Sequence, residues 1–239
     1  MPAPLGSRRL TRRVLGSVLL LIVLVTAANL VARRVIERRL RHGAAQRLSG
    51  PIGVRLAGAP ALVDAVNGSI QGVTLTAPRT SVCRLSGVRV RASLAGVHTV
   101  ATGAVVHHIG LRVLLPAPVL TRRARQIGLG MVTVATDPTG NLLRLSAGPG
   151  GALQVEEAPT LDGSQLVLRP RAIMLLGQRA PQQLARSITE RATLTRNLHA
   201  PLGLRATDVR VVGGGLEIDL ASRGQTLIRT HRQAAKRRC

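Results

Sequence analysis

Four kinds of side chain in this sequence are suited to chemistry, and the spacing of the first three works against most of it. Glu156 and Glu157 are the only adjacent carboxylates. A carboxylate pair working as acid and base must face one substrate across several ångströms. Neighbours on a strand point to opposite faces instead. His98, His107 and His108 form the only histidine cluster, and no carboxylate or thiol stands at a metal-ligand spacing from them. The two cysteines, Cys83 and Cys239, make no Cys-x-x-Cys, and their spacing alone does not establish a disulfide. Gly-x-Ser-x-Gly, P-loop and Gly-x-Gly-x-x-Gly patterns do not occur. No catalytic residue, metal ligand or cofactor is therefore expected, and the chain reads as a non-enzyme.

Arginine is the remaining chemistry. The chain has 34 Lys+Arg against 10 Asp+Glu, a formal net charge of +24, and Lys236 is its only lysine. Arg89 and Arg91 share one face of a predicted strand, and Arg122, Arg123 and Arg125 crowd one short segment. Guanidinium forks suit phosphate, but scattered single arginines read more simply as a solvated basic surface. Nine arginines and one acid, Glu37, fall within positions 1–41, leaving 25 basic and 9 acidic residues beyond them, a net of +16. Such a domain is attracted to anionic lipid head groups or acidic polymer. Phe, Tyr and Trp are absent, which removes the stacking platforms of single-stranded nucleic acid binding. No helix-turn-helix is recognisable either, so no nucleic-acid partner is expected.

The elements that must position these residues begin with an apolar run. Val14 to Ala32 carries no charge in nineteen positions and has arginine clusters on both sides. As a helix it is about 28 Å long, close to a bilayer's hydrocarbon thickness. It reads as an uncleaved transmembrane signal anchor, with cleavage near Val25-Thr26-Ala27 as the alternative. Arg33 to Leu48 continues helically, with Val35, Ile36, Leu40 and Leu48 as an apolar stripe. It fits a juxtamembrane helix or a solvated stalk.

Beyond position 50 the pattern is extended. Val54-Arg55-Leu56 predicts a short strand, and Ala61–Val66 one or two helical turns. Val88 to Leu94 alternates with period two, placing Val88, Val90, Ala92 and Leu94 inward and Arg89 and Arg91 outward. Further strands are expected at Leu111–Leu115, Met131–Thr136, Leu142–Leu145, Ala152–Val155 and Gln165–Leu168. Asp137-Pro138-Thr139-Gly140-Asn141 and Asp162-Gly163 are turns. Val119–Gln126 predicts a short basic helix, and Pro181–Leu194 a longer one with Pro181 in its first turn. Leu204–Val212, Gly213-Gly214-Gly215 and Leu216–Leu220 make a closing hairpin. Many hairpin turns and no βαβ rhythm predict an α+β fold: a curved antiparallel sheet packed with two or three helices, preceded by one N-terminal transmembrane helix.

Two stretches resemble a known family. Gly58-Ala59-Pro60-Ala61-Leu62 with Val66-Asn67-Gly68-Ser69-Ile70-Gln71-Gly72-Val73-Thr74-Leu75-Thr76-Ala77 is similar to the early segment of the actinobacterial LmeA-like phospholipid-binding proteins. Ala200-Pro201-Leu202-Gly203-Leu204-Arg205-Ala206-Thr207-Asp208-Val209, with Gly214-Gly215-Leu216-Glu217-Ile218, resembles that family's closing hairpin. Ala59, Ala61 and Leu202 stand where aromatic residues are usual in the family, which implies a remodelled or smaller apolar cavity. The resemblance implies an envelope protein holding phospholipid in an apolar groove between sheet and helices, with a link to envelope lipid or lipoglycan assembly or transport. It makes Leu62, Val66, Leu204, Val209 and Leu216 the expected lipid-binding lining.

The chain is thus expected to divide into a basic cytoplasmic N-terminus (1–13), a signal anchor (14–32), a basic juxtamembrane helix (33–50), an extracytoplasmic lipid-binding domain (51–230) and a basic tail (231–239). It would be a single-pass cell-membrane protein with its bulk outside the cytoplasm. Its expected partners are phospholipid, the membrane and, further, an anionic envelope polymer. The alternative is a non-catalytic envelope module that grips such a polymer, or lipid head groups, through its basic surface.

Overall fold

The computed structural model describes residues 34, 51–57, 69–82, 85–100, 103–126, 131–198 and 203–228. They form two sheets, and every strand pair in them is antiparallel. The first sheet contains β1 (Gly53–Ala57), β2 (Ser69–Val82), β3 (Leu85–Val100), β4 (Gly103–Pro116), β11 (Arg205–Val212) and β12 (Gly215–Ile228), in the order β1-β2-β3-β4-β12-β11. The second contains β5 (Val132–Asp137), β6 (Leu142–Ala147), β7 (Leu153–Asp162), β8 (Gln165–Leu175) and β10 (Leu194–Asn197), in the order β10-β8-β7-β6-β5, with β9 (Gln178–Arg179) also on β8. Two helices are described, α1 (Ala117–Gln126) and α2 (Gln182–Ala192).

The expected single curved sheet is thus corrected to two. No helix among the described residues is long and apolar enough to cross a membrane, so the expected N-terminal transmembrane helix is not part of the described fold. The segment assigned to it, 14–32, lies outside the described residues, as do the turns expected at Ala61–Val66, both cysteines and the basic tail. Of the juxtamembrane stretch only Arg34 is described.

β2, β3 and β4 have 14, 16 and 14 residues, about 45–50 Å each at ~3.3 Å per residue. The side-chain period decides their faces. Val88 is fully buried, Val90, Ala92 and Leu94 are partly buried, and Arg89 and Arg91 are exposed, as the alternation predicts. β3 runs six residues past Leu94, through Gly96, whose φ is +62°. A Cβ there would stand 3.1 Å from that of His107, and glycine alone meets both conditions cheaply. Next to it on β4 the buried positions step from Val106 to Ile109, an odd interval, so His107 and His108 are both exposed. The alternation slips by one residue at that point, so that Val106 and Ile109 both join the one core.

The second sheet packs on the β11–β12 side of the first. Val211 N donates to Asn141 Oδ1 (2.7 Å) and Gly214 N to Thr136 Oγ1 (3.3 Å), tying the β5–β6 turn to the closing hairpin. Asn141 sits at φ 52° in that turn, which its short polar side chain tolerates. α1 joins the sheets, with Val134 N donating to Thr121 Oγ1 at 2.9 Å. The hydrophobic core between the sheets includes Val106, Ile109, Leu143, Leu166, Leu216 and Ile218, and the buried Glu157 stands beside Leu143.

Candidate lipid-binding face and its charged reverse

The long sheet sorts its side chains by chemistry. Its inner face carries aligned aliphatic rows: Val73, Leu94 and Ile109; Leu75, Ala92 and Leu111; Ala77, Val90 and Val113. β12 extends the last two with Leu220 and Ile218. No charged side chain interrupts these rows. Leu94, Leu111 and Val113 are only partly buried and border the core. Among the described elements, the second sheet covers the β11–β12 side of this face, and α1 meets the β3–β4 side. An acyl chain needs such a continuous apolar bed.

Of the expected lining residues, the structure brings Leu204, Val209 and Leu216 into one buried cluster, at 7%, 7% and 1% exposure. They sit in the packed interior between the sheets. Leu62 and Val66 lie outside the described residues.

The outer face is ionic. Arg112 donates bidentately to Asp219, Nε to Oδ1 at 2.7 Å and Nη2 to Oδ2 at 3.2 Å. Arg210 bonds Asp208 at 2.6 Å and Asp219 at 3.2 Å, and also pairs with Glu217. The hydrogen bond to Asp219 and then its charge raise the Arg112 pKa. The hydrogen bond to Glu217 is the main cause raising that of Arg210. The expectation of arginines as merely solvated charges is corrected for these two. Its sequence sign was present: Arg210, Glu217 and Asp219 alternate with buried aliphatics on paired strands, so they share one face. Arg89 and Arg91 make no ion pair among the described residues. With Thr76, Pro78, Arg112 and Leu114 they line a shallow cleft of about 290 Å³ on this face.

The two adjacent glutamates part as the strand rule predicts. Glu156 takes Arg144 Nε and Nη2 at 3.1 and 3.0 Å on the second sheet's outer side. Glu157 is 6% exposed, pairs in register with Leu143 and Pro170, and has no hydrogen-bond partner among the described residues. Burial alone pushes its carboxyl up to about 7. A shift in the ladder between Glu156 and Glu157 accompanies this placement. The histidine rings of His98 and His107 lie 5.2 Å apart, tilted. Among the described residues no group of three or more His, Cys, Asp or Glu converges as a metal site.

Comparison with known proteins agrees with this arrangement on one point. Neither the curated proteins nor the solved structures give a match. The family model of LmeA-like phospholipid-binding proteins matches residues 24–221, which include both stretches that carry the sequence resemblance and nearly all of both sheets. The chain belongs to the LmeA-like phospholipid-binding family.

Proposed function

We propose that this protein is a non-catalytic phospholipid carrier of the cell envelope, working outside the cytoplasm in the assembly or transport of envelope lipids or lipoglycans. The acyl chains lie along the inner face of the long sheet, against Leu94, Leu111 and Val113. The cluster of Leu204, Val209 and Leu216 closes one side of the bed. The observation that carries this reading is the aliphatic row pattern across β2, β3 and β4 in a chain of this family. The net charge of +24 favours an anionic head group.

The test is lipid retained per folded protein, read by mass spectrometry of organic extracts. Val209 is a poor site for it, because it is buried in the packed core and a charge there disrupts folding. Leu111 is partly buried at the border of the bed. Leu111→Asp places an unpaired carboxylate against lipid, a cost of several kcal/mol, and should lower retention at least tenfold with far-ultraviolet circular dichroism unchanged. Ser93→Asp, exposed one row away on the reverse face, should retain lipid as wild type does. Equal retention in folded Leu111→Asp removes this face as the site, and a wild-type extract without phospholipid removes the function.

The unpaired Arg89 and Arg91 favour a second reading, in which the outer face grips an anionic envelope polymer. Loss of polymer binding in a double Arg89→Gln, Arg91→Gln variant, with lipid retention intact, would support it.

A further inference from the structure

The second sheet has two unlike ends. One is tied to the long sheet through Asn141 and Thr136 and carries Asp137 and Asp162 beside its turns. At the other end the same strands present Val132, Ala147, Leu153 and Leu175 as one row across β5, β6, β7 and β8. Just past that row Met131 is 72% exposed and Leu176 is 77% exposed. Leu175 is also exposed. Leu176 stands at φ 51° in the turn between β8 and β9, a backbone region that leucine rarely adopts. The two-residue hairpin loop Leu176-Gly177 takes positive φ at both positions, but nothing within the described chain covers the exposed Leu176 side chain.

The features at this end are physically continuous. Leu176 N donates to Ala152 O at 2.7 Å, next to the Gly148–Gly151 turn. That turn, Met131, Ser146 and Arg125 line one open cleft. Arg125 Nε donates to Val132 O at 3.0 Å, which fixes the C-terminal end of α1 beside it. Arg122, Arg123 and Arg125 of α1 are all exposed, and Arg179 is paired in register with Met174. No Asp or Glu occurs between Asp64 and Asp137, or between Asp137 and Glu156. Exposed aliphatic side chains at a small-residue tip, rimmed by arginine and free of acid, match the layering of an anionic bilayer. The chains enter the acyl boundary while the guanidinium groups stay among phosphates.

We infer that the Met131–Leu176 end of the second sheet is a docking surface for anionic phospholipid bilayers. Leu175, Leu176 and Met131 dip into the membrane, and the arginines of α1 meet its head groups. The inference goes beyond the carrier reading: it assigns the surface that touches a membrane, whichever face holds the carried lipid.

The absence of Phe, Tyr and Trp makes the test clean, because one introduced tryptophan is the sole fluorophore. Leu176→Trp and Met131→Trp in the full chain would be compared with Thr139→Trp, exposed in the turn at the opposite end. Vesicles of phosphatidylglycerol and phosphatidylcholine brominated on its acyl chains serve as the probe. Emission from Leu176→Trp and Met131→Trp should shift to the blue and be quenched at least twofold, with Thr139→Trp unmoved. Equal quenching at both ends, or none at Leu176→Trp while the protein floats with vesicles, overturns the inference. So does a failure to bind vesicles, or a blue shift that depends on protein concentration without lipid, which would make this end a self-association face. Each variant's extract is analysed for carried phospholipid as well, so failure of docking and failure of the carrier reading are told apart.

Discussion

The two faces of the long sheet share one backbone and differ in what holds them together. On the inner face Leu75, Ala92, Leu111 and Leu220 align as one row across four strands. On the outer face, one residue along each strand, Thr76, Arg91, Arg112 and Asp219 align likewise. The inner row excludes water and its contribution grows with apolar area. The outer row keeps water, so its ion pairs are screened and individually weak. The contrast implies that most of the stability lives on the inner face, which is also where the proposed function puts the lipid.

The largest effect should follow from the most enclosed side chain. Leu216 is 1% exposed in the core. Leu216→Ala loses transfer energy and leaves a cavity, about 3–4 kcal/mol together. Urea denaturation followed by circular dichroism should show the midpoint fall accordingly. A loss below about 1 kcal/mol would mean that the interior between the sheets is loosely filled.

Next is Glu157, the one ionisable side chain buried in that interior among the described residues. Its carboxyl is raised from 4.5 to about 7 by burial, so the folded protein binds the proton more tightly than the unfolded chain. Stability from this group is therefore full below pH ~4.5 and declines as pH rises to ~7, by up to about 3 kcal/mol. Glu157→Gln should remove this portion of the pH dependence and be more stable than wild type above pH ~7. An unchanged slope between pH 4.5 and 7 would show that Glu157 is solvated.

How much of this was legible in sequence depends on local regularity. Val88–Leu94 alternates without interruption, and its facing was readable residue by residue. The rest of β3 was not, because Gly96 and the slipped alternation beside it at His107–His108 break the period. The expected strands Ala152–Val155 and Gln165–Leu168 cover less than half of β7 and β8, whose remaining lengths each contain a proline, a residue that normally interrupts a ladder. The structure places both where a ladder has a gap. Pro159 lies two residues beyond the last β6 pair at Glu157, and Pro170 falls between the stretches of β8 paired with β10 and β9. The closing hairpin was legible from its three glycines and clean alternation. A Cβ at Gly215 would stand 2.3 Å from the Leu115 carbonyl oxygen, so that position requires glycine for the close approach of β12 to β4. The buried glutamate was half legible: strand parity separates it from Glu156, but nothing in the sequence says which of the two is inside.

The smallest effect belongs to the outer face, and it tests the contrast most sharply. Arg112 and Arg210 stand among three acids, Asp208, Glu217 and Asp219, so removing either arginine leaves the acids undercompensated. The side chains of Arg112 and Arg210 are 49% and 40% exposed, and water screens much of what their geometry offers. Arg112→Ala should cost about 0.5–1 kcal/mol in low salt. Near 1 M salt, where the Debye length is about 3 Å, most of that difference should vanish. Phospholipid retained per folded protein should match wild type, because Arg112 projects from the side of the sheet opposite Leu111 and Val113. A double-mutant cycle with Asp219→Asn should return a coupling of the same size and salt dependence. If Arg112→Ala instead abolishes lipid retention while stability holds, the ionic face is the head-group site. The two faces then act on one ligand, chains on one side and phosphate on the other, and the division drawn between them fails.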